Sequence, residues 1–354
     1  MDEDLVKEAV LVLKKDGVIA CPTETVFGLV GRARSETAVR KIYEIKRRVA
    51  RKALTCFVKD LQMAFSLLKD VPEYGRRLME SFWPGPLTVV GFASDEAPKQ
   101  CISEEKKIGI RIPDDEIVLK VLELLGEPLA STSANVSGEP PLRTSREVVE
   151  VFGSNVDFII PGTAGNTPST VVDITGERPL ILRKGILSFP KIEEITGKEV
   201  LFPESETIFV IFLCTGNTCR SPMAEAIMKR DISSLKNMKI ASRGTIEVYD
   251  LQINPNAEAV LREIGIDDFK HSPKILTEYE MEMADIIIAM SRDHCSWVPV
   301  RFRDKVRLLD PEGTDVEDPI GGTLATYRLV RDKIYHFLDN YWKGYFQRKF
   351  ERGR

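Results

Sequence analysis

The chain has 354 residues, 43% of them hydrophobic and 29% charged, with a formal net charge of −4. Its length exceeds the roughly 250–300 residues at which one core stops growing, so two domains are expected, each with an ample core. The charge divides evenly, 28 Lys and Arg against 30 Asp and Glu in residues 1–200 and 22 against 24 in the rest, so neither half is a polyanion binder by bulk charge.

The start, MDEDLVKEAVLVLKKDG, places acids before a short apolar helical face (Leu5, Ala9, Val12, Leu13) that Gly17 ends, the reverse of a signal peptide. No apolar run approaches the roughly 20 residues of a membrane span. Six dispersed cysteines (Cys21, Cys56, Cys101, Cys214, Cys219, Cys295) lack a framework pattern, so a reducing cytoplasm is expected, and without a CxxC pair no metal site is. After the strand VIACPT, strands at 54–58, 86–93, 107–113, 168–175 and 179–185 alternate irregularly with helices, which reads as a mixed α/β domain over residues 1–200. Residues 187–207 carry Pro and charge with few sustained apolar positions, so the boundary is expected near 200–207.

Within this half, ACPTETVFGLVG (20–31) is a strand entering a polar turn. EIKRRVARKAL (44–54) concentrates Lys46, Arg47, Arg48, Arg51 and Lys52. STSANVSGEPP (131–141) is a hydroxyl-rich loop suited to phosphate or sugar. All three histidines lie later, at 271, 294 and 336, which excludes a Ser-His-Asp hydrolase here. A basic concavity holding RNA backbone without catalysis is the competing reading.

Taken in order, PTETVFGL, Lys46-x-Arg48, FWPGPLTVV, IGIRIP, STSANVSG, STVVD and ILRKG resemble the YrdC-like threonylcarbamoyl-AMP synthases over nearly all of residues 5–200. The resemblance implies condensation of L-threonine, bicarbonate and ATP to L-threonylcarbamoyladenylate and pyrophosphate, the first step of t6A formation in tRNA, with the product handed to a separate tRNA-modifying transferase. It implies ATP binding at Lys46, Arg48, Lys52, Ser133, Asn135 and Arg183, with Mg²⁺ bridging phosphates, and threonine binding at Thr25, Arg111, Ser131 and Ser169. The family's KGRP…NPL appears here as KRRVARKAL, and Phe57 stands where many members have a histidine.

From residue 207 the pattern becomes regular: strand TIFVIFLC, helix 221–230, strand 238–242, helix 254–265, strands 284–291 and 305–309, and one long helix 323–346. Alternating helices and doubly buried strands predict a doubly wound parallel sheet, with ligands beyond the carboxyl ends of the strands, where Cys214 stands. In CTGNTCRSP, Gly216 and Asn217 tolerate the positive φ that turns backbone N–H groups inward, and a helix opening at Ser221-Pro222 completes an anion site. Such donors favour the Cys214 thiolate as nucleophile. Arg220 would fork to phosphoryl oxygens, Ser221 would donate to the sulfur, and Asp318 in DVEDPIGG would supply the leaving-group proton.

This run with a late EDPIGG resembles the low-molecular-weight protein tyrosine phosphatases across residues 207–354. The resemblance implies a phosphocysteine on Cys214, a phosphate clamp in Arg220, a general acid in Asp318, and a phosphate loop completed by Thr215, Gly216, Asn217, Thr218, Cys219 and Ser221, with no cofactor. Thr218, where tyrosine-directed members carry an aliphatic residue, makes the loop similar to the protein-arginine-phosphatase branch; phosphotyrosine is the alternative substrate. Cys219 could form a reversible disulfide with Cys214 as in relatives with this pair, and ASRGT (241–245) places Arg243 where the family more often has Ser-Ala-Gly.

Overall fold

The computed structural model describes residues 3–47, 53–136, 138–248 and 252–351. It separates into two compact units, residues 1–187 with 194–199 and residues 188–193 with 200–354.

The described part of the first unit carries a ten-stranded mixed sheet: β1 (Ile19–Cys21), β2 (Gly28–Arg32), β3 (Thr55–Phe57), β4 (Leu68–Lys69), β5 (Leu87–Ala93), β6 (Lys107–Arg111), β7 (Leu129–Ser133), β8 (Phe158–Ile159), β9 (Thr170–Asp173) and β10 (Leu180–Arg183). The order is β10-β9-β5-β6-β3-β7-β2-β1-β8, with β4 on β5. The pairs β1/β8, β3/β6 and β5/β9 are parallel and the others antiparallel. Helices Glu3–Lys14 and Glu116–Leu125 close one core, where Leu13, Val30, Leu122 and Leu129 are fully buried. Asp115 caps the second of these at the amide of Val118, and Gly126, at φ +74°, ends it. The pleat puts Thr55 with Phe57, and Ser131 with Ser133, on one face, while Cys56 and Ala130 turn to the other.

STSANVSG is therefore only partly a loop: residues 131–133 are the end of β7, paired to β2 through Gly28 and Ser133, and the chain leaves the sheet at Ala134. β2 and β7 were not singled out as strands because their Gly, Ser and Thr residues dilute the apolar alternation.

In the second unit β11 (Ile208–Cys214), β12 (Met238–Gly244), β13 (Ile286–Ala289) and β14 (Val306–Leu308) form an all-parallel sheet in the order β12-β11-β13-β14. All seven residues of β11 are buried, because helix Arg220–Asp231 covers one face while Met281, Val298 and Phe302 fill the other. The register pairs Cys214 with Gly244 at the carboxyl edge. The closing helix is continuous, as expected, but not uniform. Helix Leu324–Phe337 passes into a π-helical stretch, Leu338–Trp342, before a final turn Lys343–Arg348, as the Trp342 indole donates to the Leu309 carbonyl at 2.7 Å.

One close approach shapes the polar turn after β1. Gly165 donates its amide to the Thr23 carbonyl at 3.1 Å, and a Cβ there would overlap the carbonyl oxygens of Glu24 and Thr25. Gly165→Ala is expected to destabilise the first unit by about 1–3 kcal/mol, read as a lower melting temperature in calorimetry.

Candidate active sites

A cavity of about 360 Å³ opens over the first unit's sheet. Its lining brings together Thr25, Arg111, Ser131, Ser133, Asn135, Ser169 and Arg183, residues from five separate stretches of sequence. Arg111, at the end of β6, is 4% exposed. It donates from Nη1 to Thr25 Oγ1 at 2.8 Å and from Nε to the Gly85 carbonyl at 3.1 Å. Its Nη2 approaches Glu24 Oε1 to 2.6 Å as an ion pair out of line for a hydrogen bond, which leaves that nitrogen and both carboxylate oxygens without a hydrogen-bonding partner. The guanidinium lies 5.5 Å from the centre of the Phe57 ring, so Phe57 is a wall of the pocket.

Arg183, at the end of β10, donates to the Ser169 carbonyl at 2.9 Å and to Ser169 Oγ at 3.0 Å, and that hydroxyl also meets Thr88 Oγ1 at 2.9 Å. Burial and, after it, the neighbouring Arg111 cation lower the pKa of Arg183. Two cations lining one cavity, Arg111 buried and Arg183 exposed, favour an anionic occupant.

Lys46 is buried, and its ammonium bonds the Ser133 carbonyl at 2.5 Å, the Asn135 carbonyl at 2.9 Å and Asn135 Oδ1 at 2.8 Å. Ser133 Oγ donates to the same Oδ1 at 2.6 Å. Lys46 thus holds the end of β7 and the loop after it. Arg48 and Lys52 lie outside the described residues. Sequence reasoning passed over Glu24 and Thr88. Thr88 did leave a signal, a buried hydroxyl within the apolar run LTVVGFA.

The second site surrounds Cys214. Its Sγ lies 2.9 Å from Ser221 Oγ. Of the residues in the loop, Asn217 carries the positive φ, +53°; Gly216, expected to share it, does not. The Asn217 side chain donates to Ser221 Oγ and Ser242 Oγ, each at 2.9 Å, and accepts from the Lys274 amide at 2.9 Å. Helix Arg220–Asp231 begins one residue earlier than expected, and its N-cap Cys219 makes no side-chain cap, which leaves first-turn N–H groups for an anion.

Arg220 donates from Nη1 to the Val316 carbonyl at 3.0 Å and from Nη2 to Thr215 Oγ1 at 3.3 Å, and its Nη2 pairs with Asp318 Oδ2 at 2.5 Å. The acidic loop and the phosphate loop therefore meet through one guanidinium. Thr218 is partly exposed; its carbonyl accepts from the Asn254 amide at 2.9 Å, and its hydroxyl lies 3.5 Å from Cys219 Sγ. Cys214 and Cys219 are both free thiols, and Cys219 also meets the Tyr327 hydroxyl at 3.3 Å. Burial pushes the Cys219 thiol pKa up. The Arg243 guanidinium forms a two-pronged ion pair with Glu280.

His271 and His294 were counted in the sequence but given no role. His271 Nε2 meets the Asn217 carbonyl at 2.8 Å, and His294 Nε2 meets Thr215 Oγ1 at 3.0 Å. Burial first, and then the Arg220 cation, bring the His294 pKa down to about 4. A histidine held neutral in the fold takes up more protons when unfolded, so its contribution to stability is complete above the unfolded value and is lost as pH falls from about 6.5 toward 4. Unfolding of His294→Gln followed across that window should show a shallower loss of stability than the wild-type chain.

Two family models match the chain, one in each half. The Sua5/YciO/YrdC family model, described as telomere recombination, matches residues 11–185, and that of low molecular weight phosphotyrosine protein phosphatase matches residues 209–349. The threonylcarbamoyl-AMP synthase of Pyrococcus abyssi is 35% identical over 205 residues, 57% of this chain and 60% of that protein, so the chain spans less than two thirds of that relative's length. The synthase of an Enterobacter species is 38% identical over 177 residues, 49% of this chain and 93% of that protein. A solved structure of YwlE arginine phosphatase, in a mutant form with a phosphorylated active-site serine, aligns at 35% identity with 41% of this chain and 98% of its own, with a TM-score of 0.38. The chain thus joins a member of the threonylcarbamoyl-AMP synthase family, in its first half, to a member of the low molecular weight phosphatase family in its second.

Proposed function

We propose that the first unit condenses ATP, L-threonine and bicarbonate into L-threonylcarbamoyladenylate with release of pyrophosphate, for t6A modification of tRNA. The observation that carries this reading is the pairing of Arg111 and Arg183 in one cavity with hydroxyl donors from Thr25, Ser131, Ser133 and Ser169. A threonine carbamate attacks the α-phosphorus while pyrophosphate departs, so the site must hold a carboxylate and a polyphosphate together. Arg111 suits the carboxylate and Arg183 the phosphates. Lys46 keeps the Ser133–Asn135 segment in place beside the nucleotide. Glu139 is the one carboxylate among the described lining residues, and the described residues contain no cluster of three metal-ligating side chains. This donor set suits Mg²⁺ carried on the phosphates of ATP rather than in a protein cage. The adenylate passes to a separate tRNA-modifying transferase, and the synthase itself needs no hold on nucleic acid.

The second unit acts as a cysteine-dependent protein phosphatase that prefers phosphoarginine. Cys214 attacks phosphorus, the loop amides and Arg220 hold the phosphoryl oxygens, and Asp318 protonates the departing nitrogen and then activates water. A guanidine leaves only when protonated, and Asp318 already stands at the Arg220 fork. Supporting phosphoarginine, Thr218 is a partly exposed hydroxyl-bearing residue at the loop rather than an apolar wall for an aromatic ring. The work done on each side of the chain is then a nucleotidyl transfer and a hydrolysis.

Pyrophosphate release is expected to need both L-threonine and bicarbonate and to fall on the order of 10²-fold in Arg183→Ala; release independent of threonine would overturn the synthase reading, and salt-sensitive RNA affinity without turnover would favour the binding-module alternative. Phosphate release from phosphoarginine and from a phosphotyrosine peptide, measured side by side with Cys214→Ser as the blank, should favour phosphoarginine. Thr218→Ile should move the ratio toward phosphotyrosine by roughly 10- to 100-fold, and a wild-type preference for the phosphotyrosine peptide would refute the substrate assignment.

A further inference from the structure

His294 is buried at the carboxyl edge of the second unit's sheet, yet no step assigned to Cys214, Arg220 or Asp318 uses it. It sits on helix Arg292–Trp297, just after β13, where the Met290 amide donates to the Leu213 carbonyl at 3.0 Å and so ties this segment to the strand that ends in Cys214. The imidazole spans two hydroxyls, Ser291 Oγ at 2.8 Å from Nδ1 and Thr215 Oγ1 at 3.0 Å from Nε2. Thr215 Oγ1 is also one of the anchors of Arg220.

We infer that His294 is a positioning residue for phosphate binding, which acts through Thr215 to fix the direction of the Arg220 fork. The inference rests on the phosphatase reading of this site. Guanidinium nitrogens only donate, so Thr215 Oγ1 accepts from Arg220 and its own proton is free to turn to His294 Nε2. Nε2 is then the acceptor, and the Nδ1 proton goes to Ser291 Oγ. This arrangement requires a neutral ring. The charged groups around it are Arg220, Asp318, Asp293 and Asp315, and burial with the Arg220 cation keeps it neutral.

The other two anchors of Arg220, the Val316 carbonyl and the Asp318 carboxylate, both come from the acidic loop. To serve as the proton donor Asp318 must carry a proton and exchange its contact with Arg220 for one with the leaving group. The Thr215 contact is the anchor supplied by the phosphate loop itself, so its orientation matters most when Asp318 turns away. Arg220 can then present two parallel donors to the phosphoryl oxygens without searching for its geometry.

The experiment is inhibition of aryl phosphate hydrolysis by inorganic phosphate, using the full chain and the variants His294→Ala, His294→Gln, Thr215→Ala and His294→Ala/Thr215→Ala. His294→Ala should raise the inhibition constant about fivefold to tenfold, the size of one lost hydrogen bond of this kind. His294→Gln, which keeps an acceptor, should restore most of the loss, and the double variant should be no worse than Thr215→Ala alone. An unchanged inhibition constant in His294→Ala, or losses that multiply in the double variant, would overturn the inference. If the wild-type chain hydrolyses neither aryl phosphate nor phosphoarginine, the phosphatase reading fails. Calorimetric phosphate binding with Arg220→Ala as the blank then tests the positioning role directly, by the same ratios.

Discussion

The left-handed backbone of Asn217 is the constraint on which the second site depends. At φ +53° the residue turns the chain inside the phosphate loop, and its side chain then bridges three segments that are far apart in sequence. Its amide nitrogen supplies both Ser221 Oγ and Ser242 Oγ, so each hydroxyl must send its own proton onward. Ser242 donates to the buried carboxylate of Glu225 at 2.6 Å, and Ser221 has two groups in reach, the Arg243 carbonyl at 3.3 Å and Cys214 Sγ at 2.9 Å. One side chain thereby aligns both hydroxyls beside the nucleophile. Its main-chain oxygen is occupied as well, by His271 Nε2 at 2.8 Å. A non-glycine residue is strained in this conformation unless its surroundings fix it, and four partners do so here.

The first unit solves a related problem differently. There the hub is a cation: Lys46 gathers the carbonyls of Ser133 and Asn135 and the Asn135 side chain. A buried ammonium with three oxygen partners is compatible with burial because its protons are answered. Arg111 is held differently: its Nη2 and the carboxylate of Glu24 face each other as a buried ion pair without an aligned hydrogen bond. Arg111 lines the same cavity as the Arg183 guanidinium, whose contacts go to Ser169. One unit thus reaches its anion site by saturating a loop around a lysine, and the other by straining a backbone at an asparagine.

In both units the strands place chemistry at their ends or on one face. In the parallel sheet, Cys214 and Gly244 pair at the carboxyl edge, where the Thr245 amide donates to the carbonyls of Cys214 and Thr215 at 2.9 and 2.8 Å. In the mixed sheet, the alternation that sends Cys56 to one face sends Thr55 and Phe57 to the cavity. Phe57 lies beside Arg111 and so enters the electrostatics of the pocket as a ring face rather than as a titrating group.

Much of this was legible in the sequence. The continuous apolar run 208–214 ending in Cys-x5-Arg-Ser, the shift from irregular to regular alternation near residue 207, and the ordered motifs from PTETVFGL to ILRKG determined the α/β class of both halves and the candidate site residues, because a buried strand and an anion loop each leave a local pattern. Tertiary structure alone decided the rest. Strands β2 and β7 are short and rich in Gly, Ser and Thr, so they become strands through pairing with neighbours rather than through their own periodicity. The Lys46 contacts with Asn135, the Thr215 contact with His294 and the Arg243 pair with Glu280 span 89, 79 and 37 residues. A hydrogen bond between such distant groups has no signature along the chain, since only the folded backbone brings its donor and acceptor within reach.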